Sequence, residues 1–75
     1  MAFLPDTLIN IASVGGGLDI DFSKSPILPD TMERIARAAA SSGKRPIIIF
    51  RNARILPDTA LNVAKLGDGC VVFAY

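Results

Sequence analysis

The 75-residue sequence has no histidine, no tryptophan, a single cysteine and a formal net charge of only +1. Each shortage excludes something. Without histidine the usual general base and the commonest metal ligand are missing. One cysteine, Cys70, permits no internal disulfide, which fits a reducing compartment and leads to the expectation of a cytoplasmic protein. A balanced charge offers no concentrated positive field for phosphates, so nucleic acid is set aside as a partner. Apolar residues make up 51% of the chain, too many for a disordered one. They come in short runs, none near the roughly 18 residues needed to cross a bilayer, so no membrane is expected either. The opening Met-Ala-Phe-Leu-Pro-Asp lacks the basic region and long apolar stretch of a signal peptide. The chain reads as one domain over residues 1–75, with no cofactor or metal implied. A chain this short buries only about 60–65% of the surface its unfolded form exposes, so its stability as a monomer is expected to be marginal.

What the sequence does have is a repeat. Ile-Leu-Pro-Asp-Thr stands at Ile27 to Thr31 and again at Ile55 to Thr59, and Leu4-Pro5-Asp6-Thr7 is a third copy of its last four residues. The three prolines, Pro5, Pro29 and Pro57, are 24 and then 28 residues apart. After each cassette comes an apolar pair, Ile11-Ala12, Ile35-Ala36 or Val63-Ala64. Glycine follows, at Gly15 to Gly17, at Gly43, and at Gly67 with Gly69. Each unit closes on a strand-like run: LDIDF, PIIIF or CVVFAY. Proline suits the first turn of a helix, because its missing N–H would be unpaired there and its φ is already helical. Asp and Thr beside it put negative charge and side-chain acceptors at the positive end of the helix dipole. Met32, Ile35, Ala36 and Ala39 then form one face of a helix, with Glu33, Arg34, Arg37 and Ser41 on the other. Gly15, Gly43 and Gly67 are candidate C-caps.

The expected order is therefore helix 5–14, strand 18–23, helix 29–42, strand 46–51, helix 57–66, strand 70–75. Strands joined through helices pair in parallel. The predicted fold is α/β: three α-β units forming a short, solenoid-like stack, a three-stranded parallel sheet with its helices mainly on one face. Alternation assigns Leu18, Ile20, Phe22, Ile48, Phe50, Cys70, Val72 and Ala74 to the helix side. Aligning the repeats sets Ile20 against Ile48 and Phe22 against Phe50. The opposite, open face then carries Asp19, Asp21, Ser23, Ile47, Ile49, Arg51, Val71, Phe73 and Tyr75.

In architecture this arrangement is similar to the leucine-rich repeat, which also builds a strand and a helix into units of this length. IIIFRN follows its L-x-L-x-x-N pattern through Ile47, Ile49 and Asn52. The first unit departs from it, with Asp19 and Asp21 at the leucine positions, so the likeness carries no functional residue over.

Several features are candidates for function. Gly15-Gly16-Gly17 ends a helix and enters a strand, the reverse of a phosphate loop, and reads as a cap and turn. Ligands of open α/β sheets sit at the carboxyl ends of the strands. There the loops gather Lys24, Ser25, Arg51, Asn52 and Arg54, a candidate small-anion or phosphorylated-ligand site that Asp30 and Asp58 would compete for. Asp19 and Asp21 lie on one side of one strand and are expected to face solvent or meet Arg51. No catalytic constellation emerges, so no enzyme is expected. The open face provides the leading expectation. A small interaction module is predicted to self-associate through this open face, the edge of the third strand, or both, using Ile47, Ile49, Val71, Phe73 and Tyr75, with Asp19 and Asp21 at the rim. Its partner would be a second copy in a homodimer or other homo-oligomer, or another protein.

Overall fold

The computed structural model describes residues 5–24 and 26–74; Ser25, Tyr75 and the leading Leu4 of the first cassette lie outside them. Helices and strands alternate as α1 (Pro5–Ser13), β1 (Leu18–Asp21), α2 (Pro29–Ser41), β2 (Ile48–Arg51), α3 (Pro57–Gly67) and β3 (Val71–Ala74). The strands form one parallel sheet in the order β1-β2-β3, so each unit adds one strand beside the last.

Proline opens α2 and α3, as the repeat predicts, and α1 is helical from Pro5, the first described residue. The caps differ from expectation. The N-cap residues of α2 and α3 are Leu28 and Leu56, held in an extended conformation, and neither helix start receives a side-chain cap. Their carbonyls accept the first helical bonds, from the N–H of Met32 and of Ala60, each at 3.0 Å. Asp30 and Asp58 contribute charge to the first turns, where it complements the dipole. Asp30 also pairs with Arg34 one turn on, at 3.2 Å, so it does not answer the loop cations. At the helix ends Gly43 takes a left-handed φ of 76° just beyond α2. Gly67 does not cap: it is the last residue of α3, and the left-handed cap is Asp68 with a φ of 48°.

The core lies on one side of the sheet. Leu8 and Ala12 from α1, Met32, Ile35, Ala36 and Ala39 from α2, and Val63 from α3 meet Ile20, Ile48, Phe50 and Cys70. α2 is buried on both flanks because it lies between α1 and α3. Phe50 is fully buried at the centre of an aromatic row, with the rings of Phe22 and Phe73 each 5.9 Å away. Offset and edge-on rings at this spacing add about 0.5–1.5 kcal/mol per pair beyond the area they bury.

Strand register corrects two expectations. β1 and β2 pair Leu18 with Ile48 and Ile20 with Phe50, two residues away from the alignment of the repeats. An even shift preserves the faces, so Ile20, Ile48 and Phe50 do point into the core. In β3 the faces are exchanged. Val71 pairs with Ile48 and Phe73 with Phe50, while Val72 lies beside Ile49. Val71 and Phe73 therefore pack against the core, and Val72 belongs to the open side, 45% exposed. The helix-to-strand connection is the cause. It spans 42–47 before β2 but only 68–70 before β3. In that short turn the Cys70 N–H donates to the Gly67 carbonyl at 2.9 Å, and the Cys70 side chain is buried before the strand begins. Gly67 makes room for the start of β3, since a Cβ there would collide with a Val71 methyl carbon.

The leucine-rich pattern fails at β2. Ile47 is 60% exposed and Ile49 half-buried, both on the open side, where that pattern needs core residues.

Candidate functional site

Three surfaces collect the candidate residues, and the structure divides them differently from the sequence reading. On the open sheet face, Asp19 and Arg51 are neighbours on paired strands. The guanidinium makes two bonds to the carboxylate, from Nε at 3.2 Å and from Nη2 at 3.1 Å. This bond pushes Arg51, already a permanent cation, further up from its ordinary value. Arg51 is thus committed to the sheet face and does not join a loop cluster of cations.

Asp21 sits at the carboxyl end of β1 and accepts three hydrogen bonds. They come from the Ser23 hydroxyl at 2.7 Å, the Ser23 N–H at 2.9 Å and the Asn52 Nδ2 at 3.0 Å. These donors, the hydroxyl first, hold its carboxyl down at about 2. The network ties the β1–α2 loop to the β2–α3 loop. Asn52 reaches it from a left-handed conformation with a φ of 58°, which asparagine tolerates better than most residues. Polar chemistry on this face is therefore already satisfied within the chain.

Between those two loops lies an open groove of about 890 Å³. Its lining is mostly apolar, with Phe22, Ile27 and Ile55, and includes the polar residues Ser23, Asn52 and Arg54. Of the predicted anion-site residues, Asn52 and Arg54 line the groove, Lys24 is exposed beside it, and Arg51 is turned away. Leu28 and Leu56, at matching positions of successive units, are 72% and 73% exposed at the same end of the sheet.

The third surface, at the β3 side of the stack, joins the strand edge expected from the sequence to a flank of α3 that the sequence reading did not single out. Among the described residues β3 pairs only with β2, so its outer edge presents free backbone groups. A small groove of about 340 Å³ runs beside it, lined by Phe50, Pro57, Ala60, Phe73 and Ala74 among others. The flank of α3 above it occupies repeat positions that are covered in the earlier units. Ala12 in α1 and Ala36 in α2 are fully buried, and a Cβ on Gly67 of α3 would lie 3.6 Å from that of Ala36. Their counterpart Ala64 is exposed. Likewise Ile9 and Glu33 are half-buried where Leu61 is 60% exposed. Asp58, Leu61 and Lys65 follow one another at i, i+3 and i+7, a single stripe along that flank. The repeat itself was the signal that could have found this flank of α3, since it shows which side of each helix receives the next.

No family model matches this chain, and neither the curated proteins nor the solved structures contain a match to it.

Proposed function

We propose that the chain is a small protein–protein interaction module that self-associates through surfaces its short stack leaves uncovered. The observation that carries this reading is the β3 side. A strand without charge, Val71-Val72-Phe73-Ala74, has an edge unpaired among the described residues, beneath an exposed Leu61 and Ala64. Edge strands that must stay solitary carry charge, proline or a bulge, and this one has none of them. Ile47 and Ile49 add apolar area on the open face, with the Asp19–Arg51 pair at its rim. Catalysis has no part in this reading, and the buried Cys70 thiol fits a reducing, cytoplasmic setting. Sedimentation equilibrium tests it: a dimer or larger closed species is expected at tens of micromolar. A single-chain mass at hundreds of micromolar would sink it.

A second reading, a binder of small anions or phosphorylated ligands, is favoured by the groove between the strand-end loops. Arg54 in its lining and Lys24 beside it would meet the charge, while Phe22, Ile27 and Ile55 would cover an apolar body. Titration with phosphate compounds should shift amides near Ser23 and Asn52, and Arg54→Ala should abolish the shifts. Equal shifts in both proteins would exclude the site.

A further inference from the structure

The open face and the β3 side are not equal as places for a second copy. The open face is a platform of three strands about 4.8 Å apart, each four residues of about 3.3 Å, so it measures on the order of 13 by 14 Å. Stable interfaces bury about 800 Å² per partner, several times that footprint. The exchange of faces in β3 also removes Val71 and Phe73 from it. The β3 side adds strand pairing to helix packing, and there the internal contacts of the molecule show what kind of surface fits. α1 receives α2, and α2 receives α3, along one recurring flank. On α3 that flank holds Ala60, Leu61 and Ala64, and no further helix among the described residues covers it.

We infer that a second copy of this chain covers this end through a two-fold axis, pairing β3 with its mate antiparallel and laying α3 across its own counterpart. This rests on the self-association proposed above and names the surface that serves it. Charge selects the arrangement. Asp58 and Lys65, both exposed, stand near opposite ends of the α3 stripe with Leu61 between them. When two such helices run antiparallel about an axis near Leu61 and Asn62, each Asp58 comes opposite the partner's Lys65, so both charges are met twice over. A head-to-tail continuation would bring α1 there instead, parallel to α3, and the exposed stripe of α1, with Asp6, Asn10 and Ser13, would set Asp6 at the level of Asp58 and leave Lys65 beside the uncharged Ser13 end. The edges agree with this choice. β3 meets a strand as free of charge as itself, whereas head-to-tail growth would set it beside the two carboxylates of β1. A two-fold arrangement also closes, leaving no edge for further growth on that side.

The test compares variants of the full chain by sedimentation equilibrium at low ionic strength, where exposed charges act most strongly. Leu61→Arg and Val72→Lys alter exposed side chains, so circular dichroism should show both folded. Each should raise the dimer Kd about tenfold or more. Ile47→Lys, on the open face, should leave it unchanged. Asp58→Lys and Lys65→Glu each oppose like charges at both contacts and should weaken the homodimer. Mixed in equal amounts, these two variants restore opposite charges everywhere and should form the heterodimer. A mixture that gains no mass over its components overturns the two-fold arrangement. Dissociation by Ile47→Lys, with Leu61→Arg silent, overturns the β3-side assignment while leaving self-association intact. A single-chain mass for the unsubstituted protein overturns both.

Discussion

The two edges of the sheet are built on opposite principles. β1 reads Leu-Asp-Ile-Asp, and both of its carboxylates are held: Asp19 by Arg51, Asp21 by Ser23 and Asn52. β3 reads Val-Val-Phe-Ala and carries no charge at all. Charge on an edge discourages a further strand, because pairing would crowd or desolvate it. Both edges share the same middle strand and the same kind of helix behind them. Their difference therefore lies in side chains and not in architecture, and point substitutions can reach it.

The largest effect should come from the strand the edges share. Phe50→Ala empties the centre of the aromatic row and should cost about 3–5 kcal/mol, enough to unfold a domain of this size. Phe73→Ala, half-buried at the edge, should cost clearly less and leave a folded chain. Chemical denaturation of the two variants measures the gap; equal losses would mean that β3 is no edge in solution.

Gly67→Ala comes next. The added carbon would strike the Val71 side chain where the short turn delivers β3 onto the helix, and the packing there must shift to admit it. A loss of about 1–3 kcal/mol is expected, the usual cost of overpacking. Gly43→Ala meets nothing within 4 Å, so only its left-handed backbone resists the change. The difference in melting temperature between these two separates crowding from backbone strain.

Converting one edge into the other is a smaller perturbation. Asp19→Val together with Asp21→Val gives β1 the chemistry of β3. The Asp19–Arg51 pair is exposed, and such pairs contribute about 0–1 kcal/mol; the lost Asp21 bonds to Ser23 and Asn52, also exposed, add to this, and the chain should remain folded. Association should change more: light scattering should reveal growth beyond a closed species once both edges are bare. A double variant that sediments like the unsubstituted protein would show that charge on β1 does not limit assembly.

The smallest effect is the pH dependence of the β1 network. Asp21 has its carboxyl lowered from 3.8 to about 2 in the folded chain. A depressed carboxyl stabilises the fold above its unfolded value, and that contribution fades as pH falls through the folded one. Thermal melts between pH 5 and about 2 should therefore slope more steeply for the unsubstituted protein than for Asp21→Asn. Parallel curves would mean that the Ser23 and Asn52 bonds do not persist in solution.

Most of the architecture was legible before the structure, because it is written in local chemistry. Pro29 and Pro57 start helices because a fixed φ and a missing N–H suit a first turn and the Asp-Thr after each adds charge there, whereas Pro26 and Pro46, outside the cassette, start none. In β1 and β2, alternation showed which side chains face the helices, because Asp19, Asp21 and Arg51 cannot enter an apolar core. β3 offered no such mark. Every residue of Val-Val-Phe-Ala suits a core, so its facing depended on the length of the turn before it, and a repeat alignment is blind to that length. The candidate anion site shows the same limit. Lys24, Arg51, Asn52 and Arg54 are close in sequence register, but Arg51 had an acceptor on the neighbouring strand and turned to it.

The sequence by itself determined the kinds of elements, their order and the parallel sheet, since caps, periodicity and βαβ connection are all short-range consequences of residue type. Only the tertiary structure decided which surfaces are finished. Identical positions of the repeat are buried in α1 and α2 and exposed in α3, although the residues there are alike, as Ala12, Ala36 and Ala64 show. Burial is a property of neighbours. A helix with another beside it has a covered flank, and α3 has a neighbouring helix on one side alone among the described residues.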